Sequence, residues 1–186
     1  MENSKMCAQD RFGARISKRP GTISAAAFHG RWDFICRDAD GNVKWTDHID
    51  NLVTNEGLNH LLDVTLSGAT QDTTWFVGLT DGTPTAAAGD TLASHAGWVE
   101  VTAYDEANRV AWVDGGVSSQ SVSNSASPAT FTISANGTTV GGAFLAGVNT
   151  GTSGTLYAVG AFSAGDKSLD DNDTLDVTAT FTAAAA

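Results

Sequence analysis

The feature that most constrains this chain is the stretch from Thr138 to Thr182. It contains two short, nearly uncharged runs, Val140-Gly-Gly-Ala-Phe-Leu-Ala-Gly147 and Thr155-Leu-Tyr-Ala-Val-Gly-Ala-Phe-Ser163, joined by the turn-rich Val148–Gly154. Apolar runs of this length between Gly, Asn and Thr clusters suit strands buried on both faces. Gly141, Gly142, Gly147 and Gly160 argue against a helix, where each glycine would cost about 1 kcal/mol relative to alanine. Thr174-Leu-Asp-Val-Thr-Ala-Thr-Phe-Thr182 then alternates apolar and polar with period two, the pattern of a half-buried antiparallel strand. The chain is therefore built on a β core.

Composition agrees. With 186 residues there is material for one domain with a real core, and the charged fraction of 17% leaves few residues suited to long exposed helices. The charge is unevenly spread. Residues 1–19 hold five basic residues (Lys5, Arg11, Arg15, Lys18 and Arg19) against two acidic ones, a net of +3. The remainder holds five basic against nineteen acidic, a net of −14. Residues 1–27 read as a basic extended N-terminal arm, and 28–186 as a single β-sandwich domain. A basic arm on an acidic body suggests a segment that docks on something acidic. The field of the body would repel phosphates, so nucleic acid is a poor partner. Residues 1–20 lack the apolar core of a signal peptide, and no run approaches the roughly 18 apolar residues of a membrane span. The expectation is a protein made in the cytoplasm, with no membrane partner.

Taken in order, residues 28–46 read as a hairpin. Trp32, Phe34 and Cys36 alternate with Arg31, Asp33 and Arg37, and Asp40-Gly41 supplies the turn. Asp38-Ala-Asp-Gly-Asn42 is a poor calcium loop, because the twelfth position from Asp38 is Ile49. Residues 54–65 hold the one helix. Thr54 caps it, Glu56 sits in the first turn, and Leu58, Leu61, Leu62 and Leu66 share one face. His60 beside that stripe reads as a surface or packing histidine. Strands follow at Thr74–Leu79, Gly97–Tyr104, Arg109–Val113 and Thr130–Ser134, with a long loop from Asp81 to Ala96 in which Asp90 can cap a helical turn. Asn136-Gly137 is a second hairpin signal.

Candidate chemistry is sparse. Ser94, His95, Asp90 and Glu100 make a poor hydrolase set: Ser94 and His95 are adjacent, and there is no Gly-x-Ser-x-Gly elbow. Asp166–Asp173 gathers four aspartates without calcium-loop order, so either a cation site or a solvated turn fits. Cys7 and Cys36 make neither a structural disulfide nor, alone, a zinc site. Five tryptophans among fifteen aromatics leave two readings: Trp45, Trp98 or Trp112 serves an interface, or all five lie in the core. No catalytic, cofactor-binding or metal residues are assigned, and no enzyme activity is expected. Eight to ten short strands with turn signals every 8–12 residues predict a mainly β, antiparallel β-sandwich, jelly-roll-like in connectivity.

Several motifs carry a resemblance. Asn51-Leu-Val-Thr-Asn-Glu-Gly-Leu-Asn59, Trp75-Phe-Val-Gly-Leu79, Gly89-Asp-Thr-Leu-Ala-Ser-His-Ala-Gly-Trp-Val-Glu100, Ser123-Asn-Ser125, Gly141-Gly-Ala-Phe-Leu145 and Gly154-Thr-Leu-Tyr157 occur in this order. Over residues 30–182 the arrangement resembles a family of small structural proteins encoded among the virion genes of tailed bacteriophages and prophages. The resemblance implies a virion structural protein. Capsid cement (decoration) proteins of such phages are similar sandwich or jelly-roll chains that assemble as trimers, with extended arms on the shell. The expectation is then a homotrimer on the capsid surface of the virion. Its partner is the major capsid protein, contacted by the arm through Lys5, Arg11, Arg15, Lys18 and Arg19. Two alternatives stay open: a tail or connector component, and a carbohydrate-binding module that uses exposed tryptophans and calcium at Asp166–Asp173.

Overall fold

The computed structural model describes residues 26–185. The basic segment with Lys5, Arg11, Arg15, Lys18 and Arg19, and Cys7 with it, lies outside the described residues. The described residues open with the predicted hairpin, β1 (Ala26–Arg37) and β2 (Val43–Asp50). Gly41 turns it at φ +85°, and the Asp38 carboxylate accepts from the backbone N–H groups of Asp40 (3.0 Å) and Asn42 (2.8 Å). That explains the turn without any metal: Asp38 is engaged in holding its own backbone.

A two-residue strand, β3 (Leu52–Val53), leads into α1 (Asn55–Leu66), and Thr54 accepts from Gly57 N–H at 3.0 Å as its N-cap. The chain continues through β4 (Trp75–Asp81), β5 (Val99–Val101), β6 (Val110–Trp112), β7 (Ser121–Ser123) and β8 (Ala129–Thr132). It ends with β9 (Thr138–Val140), β10 (Gly142–Ala146), β11 (Leu156–Ala161), β12 (Lys167–Leu169) and β13 (Thr174–Ala185).

The pairings give two main antiparallel sheets. The first runs β2-β1-β13-β7, with β8 also on β13; the second runs β3-β11-β10-β4-β5, with β6 also on β4; β12 and β9 form a separate pair. The inner faces of the two sheets meet in one core. Trp32, Phe34, Leu175, Val177 and Ala179 from the first lie against Val77, Leu79, Leu145 and Ala158 from the second. Edge-to-face ring pairs stitch the layers together, Tyr157 to Phe181 at 5.2 Å and Phe34 to Phe162 at 4.7 Å. The fold is an antiparallel β-sandwich, as the sequence predicts. Jelly-roll connectivity is not established: a jelly roll passes successive strands from sheet to sheet, whereas β1–β2 and β10–β11 are hairpins within one sheet each.

Three local expectations change. Asn136-Gly137 is a turn, with Gly137 at φ +73°, but it is not a hairpin: β8 pairs with β13 and β9 pairs with β12. The α1 stripe divides. Gly57 lets the helix approach the backbone of Tyr157, so the buried side is centred on Gly57 and Leu61, while Leu58, Leu62 and Leu66 face outward. The segment after Asp90 makes a tight turn, with Thr91 and Ser94 exchanging backbone hydrogen bonds, instead of a helical one.

The long loop between β4 and β5 acts as a cover. Leu92 and Trp98 are buried against Phe144, Ala146, Leu156 and Val159 on the outer face of the second sheet. That is why β10 and β11 are buried on both faces, as their uninterrupted apolar runs require.

Candidate interaction surfaces

The candidate hydrolase group does not assemble. His95 stacks on Trp98, with centroids 3.6 Å apart and planes 12° apart, and its Nδ1 lies 3.0 Å from the Trp98 carbonyl. Asp90 accepts from the Trp98 indole N–H at 3.2 Å and from Ala87 N–H at 3.0 Å, so it fastens the covering loop. Glu100, on β5, pairs with Arg109, the residue just before β6. Each of the four residues has a structural partner, and no nucleophile–base contact joins them.

Arg109 is the most deeply engaged cation of the body. Its guanidinium donates to both Glu100 oxygens at 2.7 Å, to the Val148 carbonyl at 3.0 Å and to the Gly151 carbonyl at 2.9 Å. It also lies over the Phe144 ring. The fork geometry of arginine suits this use, tying β5, β6 and the β10–β11 loop at one point. Beside it a polar cleft of about 110 Å³ is lined by Glu100, Tyr104, Glu106, Asn108 and Asn149. Glu106 is already occupied by the Thr132 N–H, and burial first, then Glu100, pushes the Tyr104 hydroxyl up to about 12.

The four-aspartate segment has a resident cation. Lys44 of β2 donates to Asp173 at 2.6 Å and to Asp170 at 3.0 Å, and Asp173, buried, also accepts from Asp170 N–H at 2.8 Å. These contacts raise the Lys44 ammonium well above its ordinary value, first through the hydrogen bond it donates to Asp173. The sequence offered a metal or solvent for these aspartates, and a lysine 126 residues away supplies the charge.

The pattern extends to every cation among the described residues. Arg31 pairs with Asp33, Arg37 with Asp176, Lys44 with Asp170 and Asp173, Arg109 with Glu100, and Lys167 with Asp47. The body's positive charge is spent internally, and its acidic surplus faces outward.

The tryptophans divide less evenly than expected. Trp32, Trp98 and Trp112 are buried, and Trp112 donates to the Ala179 carbonyl at 3.2 Å. Trp45 packs edge-on to Phe162, and Trp75 sits between His60 and Tyr157. His60 is thus a packing histidine, with Asp72 3.9 Å from its ring nitrogen. None of the five is presented as a flat platform for a sugar. The exposed apolar surface lies elsewhere, chiefly at Leu58, Leu62 and Leu66 on the outer side of α1. Sequence periodicity located this helix but not its outward side, because the glycine that selects the buried face contributes nothing to a hydrophobic stripe. No protein-family model matches the chain, and no curated protein is significantly similar to it.

Proposed function

We propose that the chain is a non-enzymatic structural protein of tailed-bacteriophage virions, a trimeric cement protein that binds the major capsid protein on the head surface. One observation carries the reading. All five Lys and Arg residues of the sandwich are committed to internal ion pairs, while the segment 1–19 carries five more with only two acids. Attraction to an acidic surface therefore falls to Lys5, Arg11, Arg15, Lys18 and Arg19, and the acidic body remains outward and soluble at high copy number. The resemblance of the ordered motifs to those of small phage virion proteins is in keeping with the same assignment.

The test is co-sedimentation with purified head shells that lack this chain. The full chain should sediment with shells and lose that binding as salt rises, because contacts between exposed charges are screened. Changing Arg11, Arg15, Lys18 and Arg19 together to Glu should abolish it. Equal binding by that variant would reject the role of the basic segment.

A further inference from the structure

The polar cleft beside Arg109 contains a side chain with nothing to bond to. Tyr104 is only 9% exposed, yet its hydroxyl meets no hydrogen-bond partner among the described residues. Its ring is fixed edge-on to Phe131, with centroids 5.0 Å apart, and the residue lines the cleft within the field of Glu100, Arg109 and Glu106. A hydroxyl so deeply set ordinarily has a partner, and here only the cleft can supply one.

Glu106 is the second open group. Each of its carboxylate oxygens lies 3.1 Å from the Thr132 nitrogen, so a single N–H is shared between the two. No cation reaches it, because each Lys and Arg among the described residues pairs with a different acid. The side-chain amides of Asn108 and Asn149 line the same cleft, also without partners among the described residues. Backbone hydrogen bonds hold the walls: Asp105 N–H donates to the Thr132 carbonyl at 2.8 Å, and Arg109 N–H to the Asn149 carbonyl at 3.1 Å. The charges of Glu100 and Arg109 cancel, so Glu106 leaves the cleft with one unpaired negative charge among free acceptors.

These features choose between cations. No group of three His, Cys, Asp or Glu side chains comes together among the described residues, which leaves a divalent metal short of ligands. A guanidinium prefers the two-oxygen fork of a carboxylate, and the Thr132 N–H already sits astride that fork. An ammonium is a compact charge with three donors. The outer lone pairs of Glu106, the Tyr104 oxygen and an asparagine carbonyl can accept all three. The volume of about 110 Å³ has room for several waters, and so for an ammonium and part of its stem.

We propose that this cleft binds a primary ammonium on an unbranched stem, carried by a free alkylamine or by a lysine side chain of a partner protein. The proposal concerns the isolated chain and stands apart from the virion reading.

The Thr132 amide, which donates to Glu106, is the natural reporter. Isotopically enriched full-length protein would be titrated with n-butylamine and with lysine blocked at both termini, at neutral pH and physiological salt. Both should move the Thr132 amide resonance saturably. Equal affinities would assign recognition to the ammonium and its stem, and tighter binding of blocked lysine would assign it to protein lysines. Glu106→Gln keeps a carbonyl for Thr132 and should weaken binding by at least about tenfold. Tyr104→Phe should weaken it about two- to tenfold and leave the denaturation midpoint at pH 7 unchanged, because the hydroxyl bonds to nothing in the fold. Should Glu106→Gln fail to fold, Tyr104→Phe decides alone. The proposal is overturned if neither amine gives a saturable shift, or if ε-acetylated lysine or blocked arginine binds as well as lysine. Undiminished binding by the folded variants would also overturn it, since it would leave only the general attraction of an acidic body.

Discussion

Gly57 sets the position of α1, and it makes a substitution prediction whose sign opposes helix propensity. An alanine there would be favoured by about 1 kcal/mol in an isolated helix. In the protein its Cβ would run into the Tyr157 carbonyl, so Gly57→Ala should destabilise by roughly 1–3 kcal/mol, read from the urea midpoint. At Lys44 the reasoning concerns charge. Lys44→Met leaves the buried Asp173 carboxylate without its cation. The loss should lie between the roughly 0–1 kcal/mol of a surface pair and the 3–5 kcal/mol of a broken buried one, at about 2 kcal/mol. Cys36 and Tyr104 give a pH dependence. Burial raises the Cys36 thiol from 9.0 to about 11 and the Tyr104 hydroxyl from 10.0 to about 12. In each case the folded state holds its proton more tightly than the unfolded one. Their contribution is therefore complete below about pH 9 and is lost as pH rises through 11 to 12. Denaturation midpoints measured from pH 8 to 11 should fall, and the fall should be smaller in Cys36→Ala.

Among the elements, the covering loop and the Arg109 tie contribute most to the second sheet. Trp98→Ala removes the largest side chain that the loop lays on Phe144, and should cost roughly 3–5 kcal/mol while exposing the outer face of β10 and β11 to a hydrophobic dye. These elements also mark how far the sequence could be read. The double-sided burial of β10 and β11, the alternation of β13, the β1–β2 hairpin and the Thr54 cap were legible because each is written in local periodicity or turn chemistry. What lay on the outer face of the second sheet was not, since Leu92 and Trp98 sit in a loop without period. The destination of Asn136-Gly137 was not legible either: a turn signal specifies a reversal of the backbone, not the sheet that each flanking strand joins. Nor was the Lys44–Asp173 pair, which depends on tertiary placement of residues 129 apart.

At the scale of the whole molecule, the account rests on a division of charge. The sandwich neutralises its own cations and keeps a surplus of acid, and the first nineteen residues carry a net of +3. Removing residues 1–25 should therefore leave the denaturation midpoint of the sandwich nearly unchanged, because the core between the sheets is built from residues between Trp32 and Phe181, and should abolish binding to shells. Such a result would place stability and attachment in different parts of the chain. The most direct test of the central claim is the copy number of this chain in purified particles, measured by quantitative mass spectrometry against the major capsid protein. A cement protein predicts a ratio comparable to that of the capsid protein. A handful of copies per particle would contradict the head-surface assignment and point to the tail or connector, and complete absence would contradict the virion assignment itself.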